Sequence, residues 1–304
     1  MADTTFSDIS QKEKRKVDQP GNRIAYGKLA IYGVLIIGVI FSLVPFLWML
    51  SWSVMSRPEV VVGRAIPTEI HLENYSEAWE RAEFSDLIWN SVRITGISLA
   101  GLLLFCIPAA YAFARMKFVG RDVLFALTLS TLMIPDIVTL IPNYLTVVWL
   151  NRLSTTFFGE AGAWLNNWPS LTIPFMASAF TIFLLRQFFA QIPDDLWDAA
   201  RMDGASHIQF MIRVVLPLST APIMTITTFA FIGSWNSLLW PLLVANNSDW
   251  EPIALGLRNF VSLAGDEFHL QMAASVIMIL PVVTLYFFTQ KQFTEGIYSG
   301  SLKG

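Results

Sequence analysis

The fold of this chain is decided by a short polar stretch, Asp198-Ala199-Ala200-Arg201-Met202-Asp203-Gly204, which is followed after nine residues by Val214-Val215-Leu216-Pro217. The stretch lies between two long apolar segments. Just before it, Pro193 suits the first turn of a helix, where its missing N–H leaves no hydrogen bond unmade. Asp194 and Asp195 then suit the positive end of the helix dipole. The sequence therefore predicts a helix that begins near Pro193 and ends at Gly204.

One face of this predicted helix is thin. At three- and four-residue spacing it carries Leu196, Ala199, Ala200 and Asp203. The two alanines would let the backbone of another protein approach closely. Gly204 can adopt the left-handed conformation that ends a helix and turns the chain, and a second short helix is predicted over 206–214. We interpret residues 193–217, named the docking loop, as a contact surface for another protein, whereas composition alone favours an ordinary loop between membrane helices.

The composition argues against a soluble domain, because 54% of the 304 residues are hydrophobic and only 14% are charged. Six runs are nearly free of charge, and each meets the ~20 residues needed to cross ~30 Å of hydrocarbon. They are 29–56, 94–114, 123–151 (broken only by Asp136), 161–185, 214–248 and 268–290. We predict an all-α integral membrane protein with six transmembrane helices over 29–291, between an N-terminal tail, 1–28, and a C-terminal tail, 292–304. The single Cys106 excludes a disulfide framework and reads as a packing residue.

The orientation of the chain follows from its basic residues. Placing the N-terminus in the cytoplasm puts most of the 20 Lys and Arg residues on the cytoplasmic side. With six crossings, both termini are then cytoplasmic. The docking loop falls on the same side, independently of the reasoning that identified it.

The third run is predicted to be irregular. Pro135 and Pro142 flank Asp136, and Asn143 and Tyr144 follow. Proline within a span frees backbone carbonyls, which is tolerated where the helix faces protein or a wet cavity. An ionisable group in a span is a functional candidate. We therefore regard Asp136, Asn143 and Tyr144 as candidates for the substrate pathway, while a solvated Asp136 at a helix break remains the alternative.

The run 214–248 is too long for one straight crossing. It contains Gly233-Ser234-Trp235-Asn236, and Pro241 follows five residues later. Such an interruption predicts a bent or half-crossing segment that lines a cavity. The amide of Asn236 and the flat face of Trp235 suit the hydroxyls and the C–H faces of a sugar. The alternative is an asparagine that bonds between helices, beside a tryptophan at the membrane interface.

The first outer segment, 57–93, contains a further predicted helix. Asn74 and Glu77 have the spacing of a capping box that opens it. Its inner face would carry Tyr75, Ala78, Trp79 and Ala82. Glu77 and Arg81 are spaced to form an ion pair across one turn.

The docking loop resembles the EAA loop of ABC-importer permeases, the cytoplasmic element that contacts an ATPase subunit. The likeness covers roughly 28–304, over which the chain resembles the MalG-like permeases of carbohydrate importers. The segments that carry it include Leu72-Glu73-Asn74-Tyr75, Ala110-Tyr111-Ala112-Phe113-Ala114-Arg115, Ile141-Pro142-Asn143-Tyr144, Arg186-Gln187-Phe188-Phe189 and Trp235-Asn236-x-x-x-Trp240-Pro241-Leu242.

The resemblance implies a MetI/MalG-like ABC type-1 importer permease fold in the bacterial inner membrane. It implies a second, MalF-like permease, two copies of an ATPase and an extracytoplasmic solute-binding protein as partners. It also implies which residues face the ATPase: Asp198, Ala199, Ala200, Arg201, Asp203, Gly204, Leu216 and Pro217. The family usually has Glu at the position of Asp198, so the charge is kept here while the reach of the side chain is shorter.

The implied function is ATP-driven import of a di- or oligosaccharide or a related carbohydrate. The chain itself is predicted to have no catalytic, metal or cofactor site, because it lacks a phosphate loop and its 3 histidines are scattered. ATP and Mg²⁺ would bind the partner ATPase, and no nucleic-acid partner is expected. The alternatives are a glycerol-3-phosphate-type sugar-phosphate permease, a secondary transporter and an intramembrane enzyme. Sparse charge in the spans and the lack of a visible inverted repeat argue against the secondary transporter.

Overall fold

The structure, a computed structural model, describes residues 23–260 and 267–301, and the side chains of 28–260 and 267–290. Throughout these ranges the regular structure is helical and no strand occurs. Three helices are long and apolar enough to cross a membrane, and three bent pairs of helices can each form one further crossing. The prediction of an all-α membrane protein with six crossings is therefore confirmed.

We number the crossings as spans 1 to 6. Spans 1, 2 and 6 are the single helices Arg23–Ser53, Phe84–Arg115 and Phe268–Ser301. Spans 3, 4 and 5 are the pairs Arg121–Met133 with Asp136–Gly162, Trp168–Phe175 with Ala179–Ala190, and His207–Leu218 with Thr220–Trp235. Their bends are 105°, 41° and 81°. The shorter helices between them are Arg57–Val61, Glu73–Arg81, Asp194–Met202, Leu239–Val244 and Ile253–Gly256.

The helices of spans 1 and 6 extend beyond the boundaries predicted for the membrane domain. Span 1 begins at Arg23 and span 6 ends at Ser301, so both helices continue into segments that were predicted as tails. Helical hydrogen bonding does not stop where charged side chains begin, because such side chains can extend into water from a helix end. Residues 1–22 and 302–304 of the predicted tails lie outside the described residues.

The helices are held together by buried apolar clusters. One cluster joins spans 2 and 4 to the docking loop and includes Leu102, Cys106, Leu185, Phe189 and Phe210. A second joins the outer helix Glu73–Arg81 to spans 5 and 6, and a third lies between spans 2, 3 and 4 and the helix Leu239–Val244. Cys106 is fully buried, as its predicted packing role requires. Span 1 differs, because none of its most apolar window is buried inside this chain.

The capping box predicted for the outer helix is wrong. The helix Glu73–Arg81 begins after Leu72, with no side-chain cap. The amide of Asn74 is buried and donates instead to the carbonyls of Ser53 at 3.0 Å and Met55 at 2.8 Å. These carbonyls lie at the end of span 1, where a buried acceptor left without a donor is more costly than an uncapped exposed helix end. The need to satisfy these two buried carbonyls therefore overrides the local capping-box pattern.

The ion pair predicted within this helix is also wrong. Arg81 pairs with Glu267, just before span 6, and not with Glu77. The predicted inner face is correct for Ala78 and Ala82, which are buried, whereas Trp79 is exposed. The outer helix is thus attached to span 6 by apolar packing and by this ion pair.

Candidate functional site

The docking loop folds into two short helices with a left-handed glycine between them. The first is Asp194–Met202, with Asp194 and Asp195 in its first turn as predicted. Pro193 occupies the N-cap position with an extended ψ of 140°, so the helix begins one residue later than predicted. Gly204 has φ +79°, which confirms the left-handed turn. The second helix, His207–Phe210, continues as a π-helical turn, Met211–Val215, into the bend of span 5.

The second docking helix begins with a capping box. The hydroxyl of Ser206 accepts a hydrogen bond from the backbone N–H of Gln209 at 3.3 Å. The Gln209 side chain accepts in return from the backbone N–H of Ser206 at 2.9 Å. Two backbone donors that have no partner within the helix are satisfied in this way.

The inner side of the docking loop is a stack of rings. Trp197 lies on His207 with ring centroids 4.2 Å apart, and it meets Phe210 edge-on at 5.0 Å. The hydroxyl of Tyr111, near the end of span 2, shares a hydrogen bond with Nδ1 of His207 at 2.9 Å. The two docking helices are therefore bound to each other and to span 2.

Arg115 attaches the start of the docking loop to the same end of span 2. Its guanidinium donates to the carbonyls of Ile192 at 2.7 Å and Pro193 at 3.4 Å, and Nη2 lies 3.0 Å from Oδ1 of Asp194. The Arg115 side chain is 7% exposed, whereas Asp194 is 87% exposed. Solvent screens the ion pair at such a position, so the bonds from the buried guanidinium to the carbonyls hold the loop.

The outer side of the docking helix differs from the predicted face. Leu196, Ala199 and Asp203 are exposed, but Ala200 is half-buried and packs on the cluster between spans 2 and 4. Successive helical residues point about 100° apart, so the two alanines cannot both face outward. Met202 is 84% exposed and, like Leu196, lies three residues from Ala199 along the helix. The free surface is a small apolar patch around Ala199.

Charged residues surround this patch. Asp198 and Arg201 are exposed, together with Asp203. Leu216 and Pro217 lie farther along, in the helical turn Leu216–Leu218 at the bend of span 5, with Pro217 exposed. The structure thus brings the residues of the docking motif to one end of the helical bundle.

The candidates in span 3 lie on one helix, Asp136–Phe158. Asp136 is the first residue of the helix after the 105° bend, and its side chain is exposed. Asn143 is exposed on the same helix, whereas Tyr144 is half-buried against the cluster that includes Trp240. The predicted irregularity of span 3 is present.

Trp235 does not offer the flat face that was predicted for it. It is 2% exposed, its Nε1 donates to the carbonyl of Met278 at 3.1 Å, and its ring stacks on Phe231 at 5.5 Å. The indole is used to join spans 5 and 6, because a buried N–H must find an acceptor. Asn236, the next residue, is exposed where the helix ends. The predicted interruption of span 5 is confirmed, but the side chain of Trp235 is buried inside the protein there.

A cavity of about 320 Å³ lies beside this interruption, between spans 2, 4 and 5. Its hydroxyl-bearing residues are Ser98, Ser178, Thr181, Ser234 and Ser237, and its aromatic residues are Phe175, Phe180, Phe229 and Trp240. Neither Trp235 nor Asn236 belongs to its wall. None of Ser98, Ser178, Thr181 and Ser237 was selected from the sequence for the substrate pathway. The nearby break at Gly233-Ser234 was the one signal that pointed toward them.

The fold and the docking loop define a permease subunit of a membrane transport system. Residues 106–296, more than half of the chain, match the family described as "binding-protein-dependent transport system inner membrane component". The chain belongs to this family, as predicted from its docking motif.

Similar proteins agree with this assignment. The chain is 31% identical to the sn-glycerol-3-phosphate transport system permease protein UgpE of Brucella abortus, over 87% of this chain and 93% of the relative. It is 28% identical to the lactose transport system permease protein LacG of Rhizobium radiobacter, over 90% and 95%. Among solved structures, it is similar to a chain of a bacterial ABC transporter involved in the import of the acidic polysaccharide alginate. That similarity has a TM-score of 0.76 and 26% identity, over 90% of this chain and 98% of the other.

Proposed function

We propose that this chain forms half of the translocation pathway of an ATP-driven importer for a carbohydrate. The observation that carries the proposal is the docking loop, whose inner side is fastened to span 2 through Arg115 and the Trp197–His207 stack. Its outer side leaves Leu196, Ala199 and Met202 uncovered. A force on that patch would move the end of span 2 with it.

The proposed complex has three kinds of partner. A second, MalF-like permease completes the pathway, two copies of an ATPase contact the docking loops, and an extracytoplasmic binding protein delivers the solute. The uncovered apolar side chains of span 1 support a membrane or permease neighbour on that side. In this proposal the docking loop and both termini face the cytoplasm.

The chain itself contributes no chemistry to ATP hydrolysis in this proposal, since ATP and Mg²⁺ bind the ATPase. Closure of the ATPase dimer would move each docking loop and rotate the two permease halves, a hinge-type switch between two states. Within this chain, Asn236 is the leading pathway candidate, with Asp136, Asn143 and Tyr144 as further candidates.

A carbohydrate is supported as the solute class by the lactose permease and by the alginate importer named above. A glycerol-3-phosphate-type permease is the second candidate, because the relative at 31% identity transports that compound by its name. The relatives named above thus support both uncharged and anionic solutes.

The test is reconstitution in liposomes of the whole complex and, separately, of this chain alone. Uptake should require ATP, the ATPase and the binding protein. Saturable sugar flux through the isolated chain would overturn the proposal, since a permease half should not transport by itself.

A further inference from the structure

We propose that the cavity between spans 2, 4 and 5 binds an uncharged sugar unit, with hydroxyls of this chain as its hydrogen-bonding groups. The inference rests on the proposed function and narrows it, because it excludes the phosphorylated alternative for the solute. It arises from the chemistry of the cavity wall, in which the described residues supply hydroxyl and aromatic groups and no charged group.

The first observation is a hydroxyl without a partner. Ser98 on span 2 lines the cavity and is 5% exposed, yet its Oγ has no hydrogen-bond partner among the described residues. Buried hydroxyls are normally hydrogen-bonded, to protein or to water. A donor or acceptor inside the cavity would supply the bond that Ser98 lacks.

The other hydroxyls of the wall retain hydrogen-bonding capacity. Oγ of Ser178 accepts from the N–H of Thr181 at 3.2 Å, a bond that does not use its own O–H proton. Ser234 donates to the hydroxyl of Thr95 at 3.2 Å, which leaves the lone pairs of Ser234 for a donor. A hydroxyl both donates and accepts, and so does every hydroxyl of a sugar. The two sets of groups are complementary.

The second observation is that, of the described residues, none that lines the cavity carries a charge. A phosphate or carboxylate held there would lose part of its hydration and meet no cation from the described wall, which is unfavourable. The remaining wall is apolar and aromatic. Trp240 is fixed by a hydrogen bond from its Nε1 to the carbonyl of Ser170 at 2.8 Å, and Phe175 stands edge-on to it at 5.9 Å. Such rings suit the C–H faces of a sugar.

The third observation distinguishes a solute from a lipid chain as the occupant. Two helix breaks border the cavity: span 4 is interrupted between Phe175 and Ala179, and the helix of span 5 ends at Trp235. Backbone that is not helical is tolerated at membrane depth only against protein or a wet cavity. Its volume of about 320 Å³ lies at the lower end of the range for small-molecule sites.

The experiment measures ATP-dependent uptake by the complete transporter, with its binding protein, in proteoliposomes. The uncharged probes are a panel of mono-, di- and trisaccharides that includes lactose. The anionic probes are glycerol 3-phosphate and a uronate oligosaccharide. We expect uptake of at least one uncharged probe and of neither anionic probe. Uptake of an anionic probe would overturn the inference and leave the proposed function standing, whereas no uptake of any probe would overturn the proposed function itself.

Substitutions then locate the site. Ser98→Ala and Ser234→Ala each remove one hydroxyl with little change in volume, and each should raise the KM for the transported sugar by about threefold to tenfold. The matched control is Thr227→Ala, because Thr227 lies on span 5 outside the cavity wall and its hydroxyl bonds to Ile223 of its own helix. An unchanged KM in both serine variants would overturn the assignment of the cavity as a sugar site. It would indicate instead that a lipid chain occupies the cavity.

Discussion

The indole of Trp197 stacks on the imidazole of His207, with centroids 4.2 Å apart and planes inclined by 19°. Trp197 belongs to the first docking helix and His207 begins the second. Because Tyr111 of span 2 bonds to the same imidazole, the contact joins three elements at one point. The docking loop can therefore act as one rigid body with the end of span 2.

Truncation of this stack should weaken coupling. We expect Trp197→Ala to lower the number of solute molecules imported per ATP hydrolysed by about twofold to tenfold, because an aromatic pair contributes about 0.5–1.5 kcal/mol beyond its buried area. Uptake and phosphate release are measured on the same reconstituted complex. Trp197→Phe should restore part of the ratio, and Trp149→Ala, at an exposed tryptophan of span 3, should leave it unchanged. A normal ratio in Trp197→Ala would remove the stack from the coupling route.

A second prediction concerns the left-handed turn at Gly204. A Cβ at Gly204 would meet no atom within 4 Å, so only its φ of +79° opposes a side chain. A left-handed residue with a Cβ costs about 1–2 kcal/mol. Gly204→Val should therefore reduce uptake while the protein still inserts, and Gly204→Asn, which tolerates this conformation, should retain most activity. Uptake is compared at equal membrane levels, and equal activity of the Val and Asn variants would contradict the prediction.

Asp198 tests the contact with the ATPase. Its side chain is exposed, and among the described residues it forms no hydrogen bond or ion pair. Asp198→Lys should therefore leave this subunit folded but weaken the complex or uncouple ATP hydrolysis, since a lost charge pair across an interface costs about 2 kcal/mol or more. Co-purification with the ATPase and coupled ATPase activity are measured. Glu80→Lys, at an exposed position on the outer helix, serves as the control. Full assembly and coupling in the Asp198→Lys variant would show that Asp198 is a solvated residue outside the contact with the ATPase.

The lowered pKa of Glu59 predicts that the stability of the first outer segment, 57–93, depends on pH. Its carboxylate accepts hydrogen bonds from Thr68 and then from the backbone of Ser56, which lower its pKa from 4.5 to about 2. Because the pKa of Glu59 in the folded protein lies below the usual value, its hydrogen bonds to Thr68 and Ser56 stabilise the first outer segment above a pH of about 4.5. This stabilisation is lost as the pH falls toward 2. Hydrogen-exchange protection of the Thr68 amide, corrected for its intrinsic rate, should fall over that window. Glu59→Gln should lower it already at pH 7, whereas Glu69→Gln at an exposed neighbour should not.

The interruption of span 5 predicts opposite labelling of two adjacent positions. In a Cys106→Ser background, small thiol reagents should modify Asn236→Cys, and the transported solute should change the rate. Trp235→Cys should react far more slowly, because that position is buried between spans 5 and 6. Protection of Asn236→Cys in every nucleotide state would place Asn236 in a packed interface and outside the pathway.

Several features were predictable because they depend on residues that are close in sequence. A run of about 20 apolar residues is long enough to cross the membrane whatever packs around it, and Gly204 can adopt its left-handed turn without the steric cost of a Cβ. The first docking helix followed from Pro193, Asp194 and Asp195 at its start. The six crossings, the docking loop and the family resemblance were all of this kind.

Features that depend on contacts between distant segments were decided by the tertiary structure. Asn74 donates to a carbonyl at the end of span 1 instead of capping its own helix. Ala200 packs on the cluster between spans 2 and 4, and the indole of Trp235 donates to a carbonyl of span 6. The unpartnered Ser98 and the cavity beside it arise only when spans 2, 4 and 5 meet. The physical reason is that a membrane helix is apolar toward lipid as well as toward protein. The length of an apolar run therefore predicts where a span lies along the chain, but packing decides which of its faces points toward the protein.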